Sequence, residues 1–154
     1  MDDALQANPR LKSYVNVFLL ANRLQVVMDR GLRDISSKQW QVLMMLETFP
    51  EPPTLKALSQ QCGITHQSTM QLVRKLEEKG YVSVMPDAQD RRAVRITATE
   101  ACHQWTAQYA EQNLWFIQKL FSDLSEEELG LFTATQEKML ERLEEIAEYL
   151  KLCL

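Results

Sequence analysis

The chain has little of what metal centres, disulfide frameworks and phosphate loops are made from. Its 154 residues include two His, three Cys and four Gly. Cys62, Cys102 and Cys153 are odd in number, widely spaced and without a Cys-x-x-Cys pair, so neither a disulfide scaffold nor a structural zinc site is indicated. No Ser/His/Asp or Cys/His/Asn set occurs at usable spacing, and no Gly-rich phosphate loop or paired-carboxylate motif stands out. No catalytic residue, metal ligand or cofactor is therefore assigned, and an enzyme is not expected. Long apolar runs are missing too. Val17-Phe18-Leu19-Leu20-Ala21 falls far short of the ~20 residues of a membrane span, and the acidic start Met1-Asp2-Asp3 is unlike a signal peptide. These features lead to the expectation of a cytoplasmic protein with no membrane partner.

What is present is an ordinary globular mix, 45% hydrophobic and 25% charged, at a length that fits one domain with a real core. The net charge of −4 argues on its face against a nucleic-acid partner. That average conceals a gradient. Residues 1–35 hold five bases and four acids, residues 36–97 eight bases and six acids, and residues 98–154 four bases and eleven acids. Within the middle segment the bases gather at 74–79 and 91–95, and the acidic balance belongs to the C-terminal part.

Periodicity divides the chain into helices around one short alternating stretch. Apolar residues from Leu11 to Leu32 recur at helical spacing, with Gly31 as a stop. Ser36-Ser37-Lys38-Gln39 reads as an N-cap with its Gln three residues on, opening a second helix that ends by Pro50. Pro52-Pro53 forces an extended connection. Thr54 then caps a short third helix over Leu55–Cys62, and Gly63 fits the left-handed residue that closes it. Thr65 caps a fourth helix to Lys79, stopped by Gly80. Beyond it Val82 and Val84, then Val94 and Ile96, alternate with polar neighbours, which predicts a hairpin with a charged tip. Helical spacing resumes at Thr99–Glu100 and runs past Trp105 to Leu120. Ser125-Glu126-Glu127-Glu128 is a capping box for a last helix, in which Leu129, Phe132, Met139, Leu143, Ile146 and Leu150 form a seam that wants a partner helix.

A short helix, a turn at Gly63, a longer helix and a basic hairpin, in that order, form a helix-turn-helix followed by a wing. On the fourth helix, at about 100° per residue, Thr69, Leu72, Val73 and Leu76 share one side and Gln67, Gln71, Arg74 and Glu78 the other, with Ser68 and Lys75 flanking. Gln suits adenine, Arg suits guanine, and Ser or Thr suits a base or a phosphate at the helix N-terminus. Thr65, Gln67, Ser68, Thr69, Gln71, Arg74 and Lys75 are thus the candidate contacts to double-stranded DNA from this helix. His66, at its start, suits DNA contact, capping or solvent better than a metal. At the wing, Asp90, Arg91, Arg92 and Arg95 complete the set, because Arg side chains at a loop tip suit the negative potential of a narrow minor groove. Either Asp87 or Asp90 can hold an Arg in place by a paired contact. Lys79 is expected on the same side.

These residues also carry a family resemblance. Leu58-x-x-x-Cys62-Gly63-Ile64-Thr65, Val73-Arg74-Lys75-Leu76-Glu77-Glu78-Lys79-Gly80-Tyr81-Val82 and Asp90-Arg91-Arg92-Ala93-Val94-Arg95-Ile96-Thr97 resemble the winged helix-turn-helix of MarR-type (multiple antibiotic resistance regulator) transcription factors. The resemblance implies a mainly α fold with a small β-hairpin wing: an N-terminal dimerisation helix (1–35), a DNA-binding lobe (36–97) and C-terminal dimerisation helices (98–154). The family's Asp-x-Arg wing element falls on Asp90 and Arg92. Ala88 stands where the family often has proline, and Glu100 where a glycine is usual; neither departure removes a DNA-contacting residue type.

The resemblance further implies a homodimeric repressor that binds pseudo-palindromic operator DNA and responds to a small aromatic or anionic effector between the dimer helices and the lobe. Tyr14, Phe18, Trp40 and Trp105 are the aromatic candidates for that site, with Trp115 further along. Cys62 fits a packed residue before Gly63, while Cys102, beside His103, would be reactive only if exposed in an electropositive setting. The oxidant-sensing branch of the family is less similar, since its reactive cysteine lies in the first helix and residues 1–35 contain none. The alternative reading is a winged-helix protein-interaction module without DNA binding.

Overall fold

The computed structural model describes residues 8–88, 90 and 92–153. Helix α1 (Pro9–Gly31) starts two residues before Leu11. Asn8 caps it through bonds from the amides of Arg10 and Leu11, and proline takes the first helical position, where its missing N–H costs nothing. Gly31 closes the helix without entering the left-handed region. That conformation falls instead on Asp34, at φ 70°, in the turn that follows.

Helix α2 (Ser37–Leu46) opens with the full capping box. Ser36 Oγ accepts from the Gln39 amide, and Gln39 Oε1 accepts from the Ser36 amide at 2.9 Å. Asp29 of α1 accepts from the Ser37 amide at 2.6 Å, fixing the turn between the two helices. Thr54 caps α3 (Leu55–Cys62), and Gly63 ends it at φ 65° and ψ 27°. Thr65 caps α4 (His66–Glu78). Strands β1 (Val82–Pro86) and β2 (Val94–Ala98) pair antiparallel from Val82 opposite Ala98 to Pro86 opposite Val94. Helix α5 (Glu100–Leu120) follows, and α6 (Glu126–Cys153) opens on its own capping box. There Ser125 donates backbone and side-chain bonds to Glu128 and holds its carboxyl below the usual range.

The chain divides into two compact units between Thr106 and Ala107. The core of the first is Val42, Leu58, Val73, Leu76 and Ile96, each almost wholly removed from water and so contributing about 1.5–3 kcal/mol by burial. The first turns of α5 join this core through Cys102 and Trp105, and the Trp105 ring lies 6.0 Å from that of Tyr81. In contrast, α1 and α6 bury none of their described residues although both are rich in Leu, Val and aromatic side chains. No helix of the described residues is long and apolar enough to cross a membrane.

Candidate nucleic-acid interface

Helix α4 has two chemically distinct faces. Thr69, Val73 and Leu76 are buried, whereas Thr65, Gln67, Ser68, Gln71, Arg74 and Lys75 are all exposed. The split follows from the 3.6-residue period, which returns the apolar positions 69, 73 and 76 to the core and leaves the polar ones outside. Thr65 ties off the N-terminus. Its Oγ1 accepts from the Ser68 amide at 3.2 Å and donates to Ser68 Oγ at 2.9 Å, leaving the Ser68 hydroxyl its own proton to offer to a phosphate. His66 is exposed at the same end.

One expected contact residue faces the wrong way. Thr69 is fully buried, with Oγ1 donating to the Thr65 carbonyl at 3.1 Å, so it packs and bonds inside the lobe and does not reach DNA. Lys79 is also committed elsewhere. Its Nζ donates to the Asp34 carbonyl, across the turn between α1 and α2.

In the wing, the expectation that a carboxylate holds an arginine is met at Asp87. This side chain is only 5% exposed, and its two oxygens have separate tasks: Oδ1 accepts from the Asp90 amide at 2.8 Å and Oδ2 accepts from Arg95 Nε. Arg95 reaches on to the Pro52 carbonyl at 2.6 Å, and its backbone forms a bridge with Thr54 beside an Ile96 amide bond to the Pro53 carbonyl. Arg95, one of the expected DNA contacts, is therefore engaged within the lobe. Asp90 does not grip the Arg92 guanidinium. Its Oδ1 accepts from the Arg92 amide at 2.9 Å, which shapes the loop and leaves Arg92 exposed. Arg91 lies outside the described residues.

The effector candidates occupy different settings. Tyr14 and Phe18 form an edge-on pair 5.0 Å apart on the exposed side of α1, Trp40 is half-buried on α2, and Trp105 packs with Tyr81. A shallow cleft of about 180 Å³ opens elsewhere, between Phe49, Pro50, Pro53 and Ala98, with Glu47 and His103 3.6 Å apart at its rim. No signal in the sequence marked it. Cys62 and Cys102 are buried, and burial pushes both thiols up; at Cys102 Glu47 adds to the effect and a Thr106 hydrogen bond opposes it. Neither thiol has the exposed, electropositive setting of a reactive cysteine. Among the described residues no three His, Cys, Asp or Glu side chains converge as a metal site.

A capped short helix, a left-handed glycine turn, a second helix with a polar outer face and a braced hairpin define the lobe as a winged helix-turn-helix. The MarR family model matches residues 33–93, which takes in α2 through the wing loop. It is 27% identical over 111 residues to the transcriptional activatory protein BadR of Rhodopseudomonas palustris, a match covering 68% of this chain. The match spans only 63% of BadR's own length. The S. aureus MepR–DNA complex superposes with a TM-score of 0.75 at 25% identity, covering 84% of this chain and 97% of MepR. The organohalide-sensing regulator RdhR in its 2,4-dichlorophenol-bound form superposes with a TM-score of 0.78 at 18% identity, covering 88% of this chain and 81% of RdhR.

Proposed function

We propose that the protein is a homodimeric transcriptional regulator that binds pseudo-palindromic double-stranded DNA and represses transcription by occupying its site. The observation that carries DNA binding is the outer face of α4: Gln67, Ser68, Gln71, Arg74 and Lys75 exposed together on a helix whose opposite face is buried. The reading places α4 in the major groove, with Gln71 and Arg74 at base edges and Lys75 at phosphate, and Arg92 of the wing in the adjacent minor groove. DNA binding as such is supported by MepR, a structural neighbour seen on DNA.

The dimer rests on a separate observation. Helices α1 and α6 each leave apolar side chains in water, with Val17, Leu20, Leu131, Leu140, Leu143 and Ile146 between 46% and 63% exposed, whereas a helix ordinarily packs its apolar face against a neighbour. A second copy would bury these side chains, and the seam on α6 has the spacing for helix–helix packing. Two-fold symmetry then sets the half-sites about one turn, ~34 Å, apart. A small aromatic or anionic effector is the proposed ligand, with Tyr14 and Phe18 as its aromatic contacts on α1; RdhR supports the class through its bound chlorophenol. BadR, named as an activator, favours the opposite sign of regulation.

Three measurements test these statements. Titrating the protein against its own upstream DNA should give saturable binding that weakens steeply with salt; no saturable binding at low salt would leave the protein-interaction reading in its place. Light scattering at micromolar concentration should give twice the chain mass, and a monomer would refute the dimer. In reporter transcription, added protein should lower the signal, and small aromatic acids that raise the melting temperature should restore it. A rise in transcription on adding protein would make it an activator.

A further inference from the structure

The hydrogen bonds in the wing form a relay that ends at the residue proposed for the minor groove. Arg95 is anchored on the Pro52 carbonyl, immediately ahead of the helix-turn-helix, and its Nε holds Asp87 Oδ2. Asp87 Oδ1 holds the Asp90 amide, and the Asp90 carboxylate in turn holds the Arg92 amide at 2.9 Å. Asp87 also bonds through its own amide to the Ala93 carbonyl, closing the loop across its base. Every side-chain link places a charged group on a hydrogen bond, the stronger kind. Arg92 itself contributes only its amide to the relay, so its guanidinium stays free.

We propose that Asp87 and Arg95 are positioning residues: together they brace the wing against the Pro52–Thr54 segment and set Arg92 where it meets DNA. The inference rests on the DNA-binding reading above for its consequence, though not for the brace itself. Charge counting and the brace make opposite predictions at Asp87. Removing an acid beside a polyanion should tighten binding if only net charge matters. Under the brace, removing it lets the Asp90–Arg92 turn drift and binding weakens.

A double-mutant cycle reads this directly. Asp87→Asn should weaken operator binding by about tenfold when Arg92 is present, a typical coupling for groups in one network. In an Arg92→Ala background the same substitution should cause no loss, because the contact it serves is already gone. Arg95→Gln carried through the same cycle should behave alike, and this variant decides the matter if Asp87→Asn does not fold. Equal or tighter binding by Asp87→Asn, or the same fold-loss with and without Arg92, would overturn the brace; the second result would mean general damage to the lobe at Asp87 or a direct phosphate contact at Arg95.

Hydrogen exchange on the free protein supplies an arm that needs no DNA. The Arg92 amide should exchange faster in both variants while the amides of Val73 and Leu76 keep their protection. Unchanged exchange at Arg92 would overturn the proposal. If the parent protein shows no saturable binding to DNA, the function proposed above falls, and the exchange result still decides the brace.

Discussion

Thr69 is the sharpest test of which face of α4 meets DNA, because its residue type suits a DNA contact and its burial forbids one. In Thr69→Val the side chain keeps its shape and β-branching, so packing and helix propensity change little. The hydroxyl's bond to the Thr65 carbonyl is lost, at a net cost of about 1 kcal/mol. The carbonyl is not orphaned, since the Thr69 amide already donates to it at 2.9 Å. Against that loss, a methyl group in a fully buried site gains about 0.8 kcal/mol over a group that had to be desolvated. The two effects nearly cancel, leaving a net change within about 0.5 kcal/mol. Urea unfolding at fixed protomer concentration measures the stability, and an operator titration at fixed salt measures affinity, which should stay within about twofold. A tenfold loss of affinity with unchanged stability would place the hydroxyl at the DNA and refute the inward assignment.

Gly63→Ala probes the turn of the helix-turn-helix. A Cβ there would meet nothing within 4 Å, so the whole cost is that of forcing alanine to φ 65°, about 1–2 kcal/mol, read as a lower urea midpoint; an unmoved midpoint would contradict the left-handed cap. The buried thiols give a pH prediction. Because burial raises the pKa of Cys62 and Cys102, the fold favours the protonated form, and that contribution is complete below the ordinary thiol pKa and lost as pH climbs through the raised value. Pulse alkylation at pH 8 with peptide mapping should find both cysteines protected in the native protein and labelled in urea. Native labelling of Cys102 at the unfolded rate would reopen a redox role.

Local chemistry explains why much of the lobe was legible in the sequence. A capping box at Ser36–Gln39, caps at Thr54 and Thr65, and a left-handed glycine at 63 each depend on residues within four positions of one another. The two faces of α4 follow from period alone, which places Thr69 inward beside Val73 and Leu76 although its hydroxyl is of a type that suits DNA. What sequence could not supply is long-range choice. Asp87 and Asp90 offered equal chemistry for holding an arginine, and only the fold brings Arg95 to Asp87 while leaving Asp90 to a backbone amide. The Pro52 carbonyl that receives Arg95 lies 43 residues away, in a stretch whose prolines predict an extended connection but not its neighbour. Nor does any residue pattern announce the left-handed Asp34 or its carbonyl's bond to Lys79.

These commitments shrink the set of bases available to DNA, and the shrinkage is measurable. Arg74, Lys75, Lys79, Arg91, Arg92 and Arg95 all fall within the two basic clusters. The structure spends Lys79 on Asp34 and Arg95 on Asp87 and Pro52. Arg74, Lys75 and Arg92 stay exposed. Three cations on the DNA in each of two protomers, each displacing a counterion whether it sits at a phosphate or in a groove, give a slope of log affinity against log salt of roughly −5, and counting Arg91 as well gives roughly −7. Had all six bases met the DNA, the slope would be roughly −11. Operator titrations between about 50 and 300 mM salt separate these values easily, since a difference of four in slope over that range amounts to roughly a thousandfold in affinity. A slope near −11 would return Lys79 and Arg95 to the contact set and remove the basis for treating Arg95 as a brace. A slope between −5 and −7 means that a protein of net charge −4 holds its DNA with few bases, so that holding Arg92 in place matters more than adding charge.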